Sequence, residues 1–74
     1  MNKLYLAAII WEENGVYVSK SPETGIASCG DTPEEALSNL KEAVELYLET
    51  LSSDEIKELL SQEILTTTVE VQVG

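Results

Sequence analysis

Apolar and polar positions along the chain change rhythm several times, and each rhythm predicts an element. From Leu4 to Trp11 (LYLAAIIW) both alternating sets are apolar: Leu4, Leu6, Ala8 and Ile10 on one side, Tyr5, Ala7, Ile9 and Trp11 on the other. A strand covered on both faces has this pattern, with a helix on one side and a partner subunit or another segment on the other. Glu12-Glu13-Asn14-Gly15 then predicts a tight turn, because Asn-Gly accepts positive φ, and Val16 to Ser19 follows as an antiparallel second strand. Pro22 and Gly25 interrupt the pattern, after which Ile26 to Cys29 reads as a short third strand.

The period changes at Gly30. Between there and Leu51 the apolar residues Leu37, Leu40, Val44, Leu48 and Leu51 recur at spacings of three and four, with Ala36, Ala43 and Tyr47 beside them, which predicts the main helix. Thr32 is the expected cap, Pro33 suits the first helical position, and Glu35 stands where it can reach back to close a capping box. Ser52-Ser53-Asp54-Glu55 opens a second, short helix, capped by Ser52 or Ser53, with Ile56, Leu59 and Leu60 as its apolar face. From Val69 strict alternation returns. Val69, Val71 and Val73 are expected to point inward and Thr68, Glu70 and Gln72 outward, in a half-buried fourth strand. The expectation is a single α+β domain over residues 1–74: an antiparallel sheet with one main helix packed on one face, in the order β-β-β-α-(short α)-β.

Composition narrows what such a domain can do. Fourteen acidic residues against four lysines give a net charge of −10, which repels nucleic acid and anionic lipid and draws in a basic partner, although solubility alone also accounts for it. A chain this short buries only about 60% of the surface it exposes when unfolded, so self-association into a dimer or tetramer is expected. One cysteine allows no internal disulfide. The apolar run at the start is far shorter than the ~20 residues of a membrane span and carries no signal-peptide pattern, which makes the cytoplasm the expected location.

Several motifs together carry a family resemblance. The aromatic end of the first strand, the glycine hairpin, Ser21-Pro22 with Gly25, then Gly30-Asp31-Thr32 leading into Glu34-Glu35-Ala36-Leu37, and later Ala43 with Tyr47-Leu48-Glu49, resemble the HicB-like antitoxin family. The likeness spans residues 4–49 and is sharpest from Gly30 to Leu37. It implies a partial ribonuclease-H-like fold that binds and silences a small, basic, messenger-RNA-cleaving toxin of a type II toxin–antitoxin pair. Pro22, Gly25, Gly30, Asp31, Thr32, Glu35 and Ala36 would be its structural motif. Longer members carry a C-terminal DNA-binding segment; here Gly74 follows the fourth strand directly, so no separate DNA-binding domain and no direct nucleic-acid binding are expected. Glu23-Thr24 departs from the family's Leu-containing loop and puts that loop's contacts in question.

The residues offer little chemistry of their own. Metal-dependent nucleases need converging carboxylates on strands, whereas the strand segments as assigned hold no acid and the chain has no histidine, so neither an enzyme nor a cofactor or metal site is expected. Cys29 stands alone and reads as a small half-buried hydrophobe. The candidate partner interface is Trp11, Tyr17, Glu34, Glu42, Glu45 and Glu49. Trp11 and Tyr17 would face each other across the hairpin as a packing pair or an aromatic anchor. The glutamates would form an acidic helix face, or else a solvated one in which Lys41 pairs with Glu45 and Glu34 and Glu35 favour the helix dipole. Glu12, Glu13 and Glu23 read as charged turn residues. The alternative to an antitoxin is an orphan homo-oligomeric regulatory or structural module with no toxin.

Overall fold

Asn14 and Gly15 adopt φ of 52° and 82°, the left-handed pair that a two-residue hairpin turn requires. The turn is therefore shorter than the four residues expected of it. Glu12 and Glu13 belong to strand β1 (Ile9–Glu13), which pairs antiparallel with β2 (Val16–Lys20) from Glu13↔Val16 to Ile9↔Lys20. This computed structural model describes residues 3–74. The predicted strand start at Leu4 is corrected, since residues 4–8 have no ladder. The cause lies in the partner: β2 stops at Lys20, and the chain turns through Ser21, whose carbonyl accepts from the Gly25 N–H at 2.8 Å. In place of a strand neighbour, the Ala7 N–H finds the Glu23 carboxylate, with its oxygens at 3.0 and 3.2 Å. Glu23 is thus more than a charged turn residue. Thr24 Oγ1 accepts from the Ile26 N–H at 3.2 Å, and Gly25 turns with φ of 75°, so the divergent loop is held by its own polar groups.

The third strand, β3 (Ala27–Gly30), lies one residue later than expected and pairs antiparallel with β2, giving a sheet ordered β1-β2-β3. Helix α1 (Pro33–Leu48) starts as the sequence predicts, with Thr32 Oγ1 accepting from the Glu35 N–H at 3.0 Å and Pro33 in the first turn. The capping box is displaced: Glu35 Oε1 accepts from the Asp31 N–H at 3.3 Å instead of from the cap residue. Gly30 makes the junction between strand and helix possible. A Cβ there would sit 2.6 Å from Ala36 N and 2.9 Å from the carbonyl carbon of Glu35. Because the helix backbone lies directly on the strand at this point, its most buried stripe is Ala36, Leu40 and Val44, and Leu37 is turned out to 46% exposure. The helix stops at Leu48 and not at Leu51, where the Thr50 and Leu51 N–H groups fold back to the carbonyls of Tyr47 and Leu48. Helix α2 (Ser53–Leu60) follows. Ser52 is its cap, in a complete capping box with Glu55, and Leu59 is its buried residue while Leu60 is exposed.

The sheet is covered on one face only. Ser19 is fully buried and its Oγ donates to the carbonyl of Ala36 at 2.8 Å, so Tyr17, Ser19, Ser28 and Gly30 look toward α1. The opposite face carries Ile9, Trp11, Val16, Val18, Ala27 and Cys29, with the charged Glu13 and Lys20 at its two ends. Among the described residues nothing covers both sides of β1, every residue of which is exposed. The fourth strand is not formed either. Residues 62–74 have no regular structure, and Val69, Val71 and Val73, expected to point inward, are 82%, 71% and 96% exposed. A strand needs an edge to pair with, and this segment pairs with none among the described residues.

Candidate functional site

The six residues of the expected interface do not converge. In the β1–β2 register Trp11 lies opposite Val18 and Tyr17 opposite Glu12. Residues directly opposite share a face and neighbours along a strand alternate, so Trp11 points to the open face and Tyr17 to the helix side. The aromatic pair is corrected: they are back to back. The signal that gives this parity was present, because a two-residue Asn-Gly turn sets Glu13 against Val16 and every pair beyond it follows.

The acids do come together. At 100° per residue, Glu34, Glu42, Glu45 and Glu49 fall within about 80° of arc on α1 and its cap, opposite Ala36, Leu40 and Val44. All four are exposed, and Lys41 Nζ meets Glu45 Oε2 at 2.9 Å, the ion pair that the i,i+4 spacing predicts. Both partners are well exposed, so the pair adds little to stability and leaves the face strongly negative. Glu35 turns aside to Asp31, as befits a capping residue.

Two candidate surfaces result, separated by the thickness of a sheet and a helix. The outer face of α1 is acidic. The open sheet face is largely apolar, with Trp11 37%, Ile9 43% and Val16 39% exposed and Glu13 and Lys20 at its ends, and Trp11 Nε1 donates to Glu13 Oε1 at 3.0 Å. Cys29 is on this face and is exposed, where a half-buried position was expected. Asn39, which sequence reasoning passed over, donates from α1 to the carbonyl of Cys29 at 2.8 Å and ties β3 to the helix.

A groove of about 280 Å³ runs between residues 4–8 and α1, walled by Leu4, Leu6, Leu37, Leu40 and Val44, with Lys41 and Glu45 at its rim. Ser21 lines it, and its buried hydroxyl has no hydrogen-bond partner among the described residues. Although β1 includes Glu12 and Glu13, contrary to the acid-free strands expected, no cluster of three or more metal-ligating side chains occurs among the described residues. No helix among them is long and apolar enough to cross a membrane.

Comparison with known proteins gives a family without an activity. A family model described as a family of unknown function, DUF7387, matches residues 6–70. A UPF0150 protein of Helicobacter pylori (strain J99 / ATCC 700824) is 38% identical over 65 residues, covering 88% of this chain and 90% of the relative. No solved structure matches.

Proposed function

The chain belongs to the DUF7387 family of unknown function, and from that premise we propose that it is a non-catalytic, antitoxin-like domain that binds and neutralises a small basic toxin. The observation that carries this reading is the alignment of Glu34, Glu42, Glu45 and Glu49 on one outward face of α1. A convex negative ridge steers a basic protein electrostatically and is held off nucleic acid by the same charge. The HicB-like motif from Gly30 to Leu37 supports a messenger-RNA-cleaving toxin as the partner, although neither family description names one. Trp11 is not part of this contact, because it lies on the other side of the sheet.

Co-expression with any small basic protein encoded in a neighbouring reading frame tests the proposal. A complex that survives purification, and growth rescue that is lost on combined Glu34→Lys, Glu42→Lys and Glu49→Lys substitution, are expected. Failure of any such complex to form overturns the antitoxin reading. Rescue that survives charge reversal overturns the acidic-face contact.

A second reading, an orphan homo-oligomeric module, is favoured by the apolar open sheet face. It predicts that Trp11→Ala disturbs assembly while charge reversal on α1 does not.

A further inference from the structure

The chain exposes 6046 Å² of surface, against roughly 4500 Å² for a compact monomer of 8.1 kDa. Its radius of gyration is 14.5 Å, where about 11 Å is usual for this length, and its long axis reaches 48 Å. The tail contributes to this surplus: residues 63–74 join no backbone hydrogen bond among the described residues and expose Leu65, Val69, Val71 and Val73. An alternating Val-Glu-Val-Gln-Val segment has the chemistry of a strand without a sheet.

The sheet has two edges, and they differ. β3 is four residues long, and its Cys29 carbonyl is already taken by Asn39. β1 is longer, and on the side away from β2 no backbone hydrogen bond reaches it among the described residues. Its Ile9-Ile10-Trp11 end is uncharged, its acids Glu12 and Glu13 being confined to the hairpin end, and from Ile64 onward the tail carries one acid, Glu70, out of the chain's fourteen. Two chains of net charge −10 can therefore approach through these segments with little of the repulsion that opposes contact elsewhere.

We propose that residues 66–73 of one copy add as a fourth strand to the open edge of β1 in a second copy, and the reverse, forming a two-fold dimer with exchanged tails. The exchange satisfies the unpaired backbone of the tail and of the edge together, and removes an exposed edge that would otherwise pair indiscriminately. The surplus of exposed surface exceeds the about 800 Å² per partner that a specific interface buries.

Sedimentation equilibrium on the full chain reads the outcome. A mass near twice 8.1 kDa is expected, with association tightening between about 0.05 M and about 0.5 M salt as the like charges are screened. Val71→Pro, which removes a ladder donor from a segment that does not support the monomer's fold, should weaken association by about 100-fold and leave the circular dichroism of the helices unchanged. Hydrogen exchange should protect tail amides only at concentrations where the dimer forms. A monomer at all concentrations, a dimer indifferent to Val71→Pro, or tail amides protected in the monomer would each overturn the exchange.

Discussion

Ser19 Oγ donates to the main-chain carbonyl of Ala36 at 2.8 Å, a buried bond joining the central strand to the first turns of the helix. Neither residue offers a large apolar side chain, yet both are fully buried, because helix and sheet approach too closely here for anything bulkier. Ser19→Ala removes one neutral hydrogen bond and should cost about 1 kcal/mol, lowering Tm by roughly 4–8 °C. Ser19→Val adds volume against helix backbone and should cost more, about 1–3 kcal/mol. Thermal melts of both variants check this; a Val variant as stable as the parent would mean the hydroxyl is dispensable.

Gly30→Ala and Gly15→Ala separate two reasons for glycine. At Gly30 the new Cβ meets backbone atoms of Ala36 and Glu35 that cannot rotate away, so α1 must lift, at a cost of about 1–3 kcal/mol and with amide shifts centred on Glu35 and Ala36. At Gly15 there is open space, but φ of 82° strains any side-chain-bearing residue by about 1–2 kcal/mol and should leave the helix amides where they are. Comparison of the two variants' amide spectra distinguishes the mechanisms.

That close approach also explains what could be read from the chain alone. The order of three strands and two helices, the hairpin at Asn14-Gly15 and the caps at Thr32 and Ser52 are local signals, set by residues a few positions apart, and all appear in the fold. Of the predicted helix stripe Leu40 and Val44 are buried, but at its start Ala36 fits under the strand and the larger Leu37 does not. The start of β1 depended on where its partner stops, and the missing fourth strand on whether an edge lies within reach; both are long-range facts that periodicity does not contain. At the candidate site, the acidic arc follows from helix geometry and was legible, whereas the separation of Trp11 from Tyr17 required the hairpin register to be counted out.

Glu23 holds the start of the chain down. Glu23→Ala frees the Ala7 N–H and should speed its hydrogen exchange by about tenfold, given the usual strength of a bond to a charged acceptor. Glu23→Gln keeps an acceptor without the charge and should fall between. Unchanged exchange at Ala7 in the Ala variant would show that the groove wall holds the segment unaided.

Glu55 links α2 to pH. Its carboxyl lies below the usual 4.5 because it accepts from the Ser52 N–H at 2.9 Å and because the Ser52 hydroxyl also stabilises the charged form. A carboxyl whose folded pKa is depressed contributes stability at pH above its ordinary value and loses it as pH falls through the lowered one. Helix α2 should therefore loosen on acidification below about 4.5, read as amide shifts over Ser53–Leu60, while Glu55→Gln, which keeps an acceptor without the charge, should fall between the two signatures at neutral pH and give a flatter response. An unaltered titration in the Gln variant would assign the effect to other acids.

Because the sheet is covered on one side only, the chain's single tryptophan is an intrinsic optical probe of one surface and not the other. Trp11 emission should shift to shorter wavelength when anything covers the open sheet face. It should stay still when a partner settles on the glutamates of α1, two layers away. One fluorescence titration, without a label, can thus assign a newly found partner to its side of the molecule.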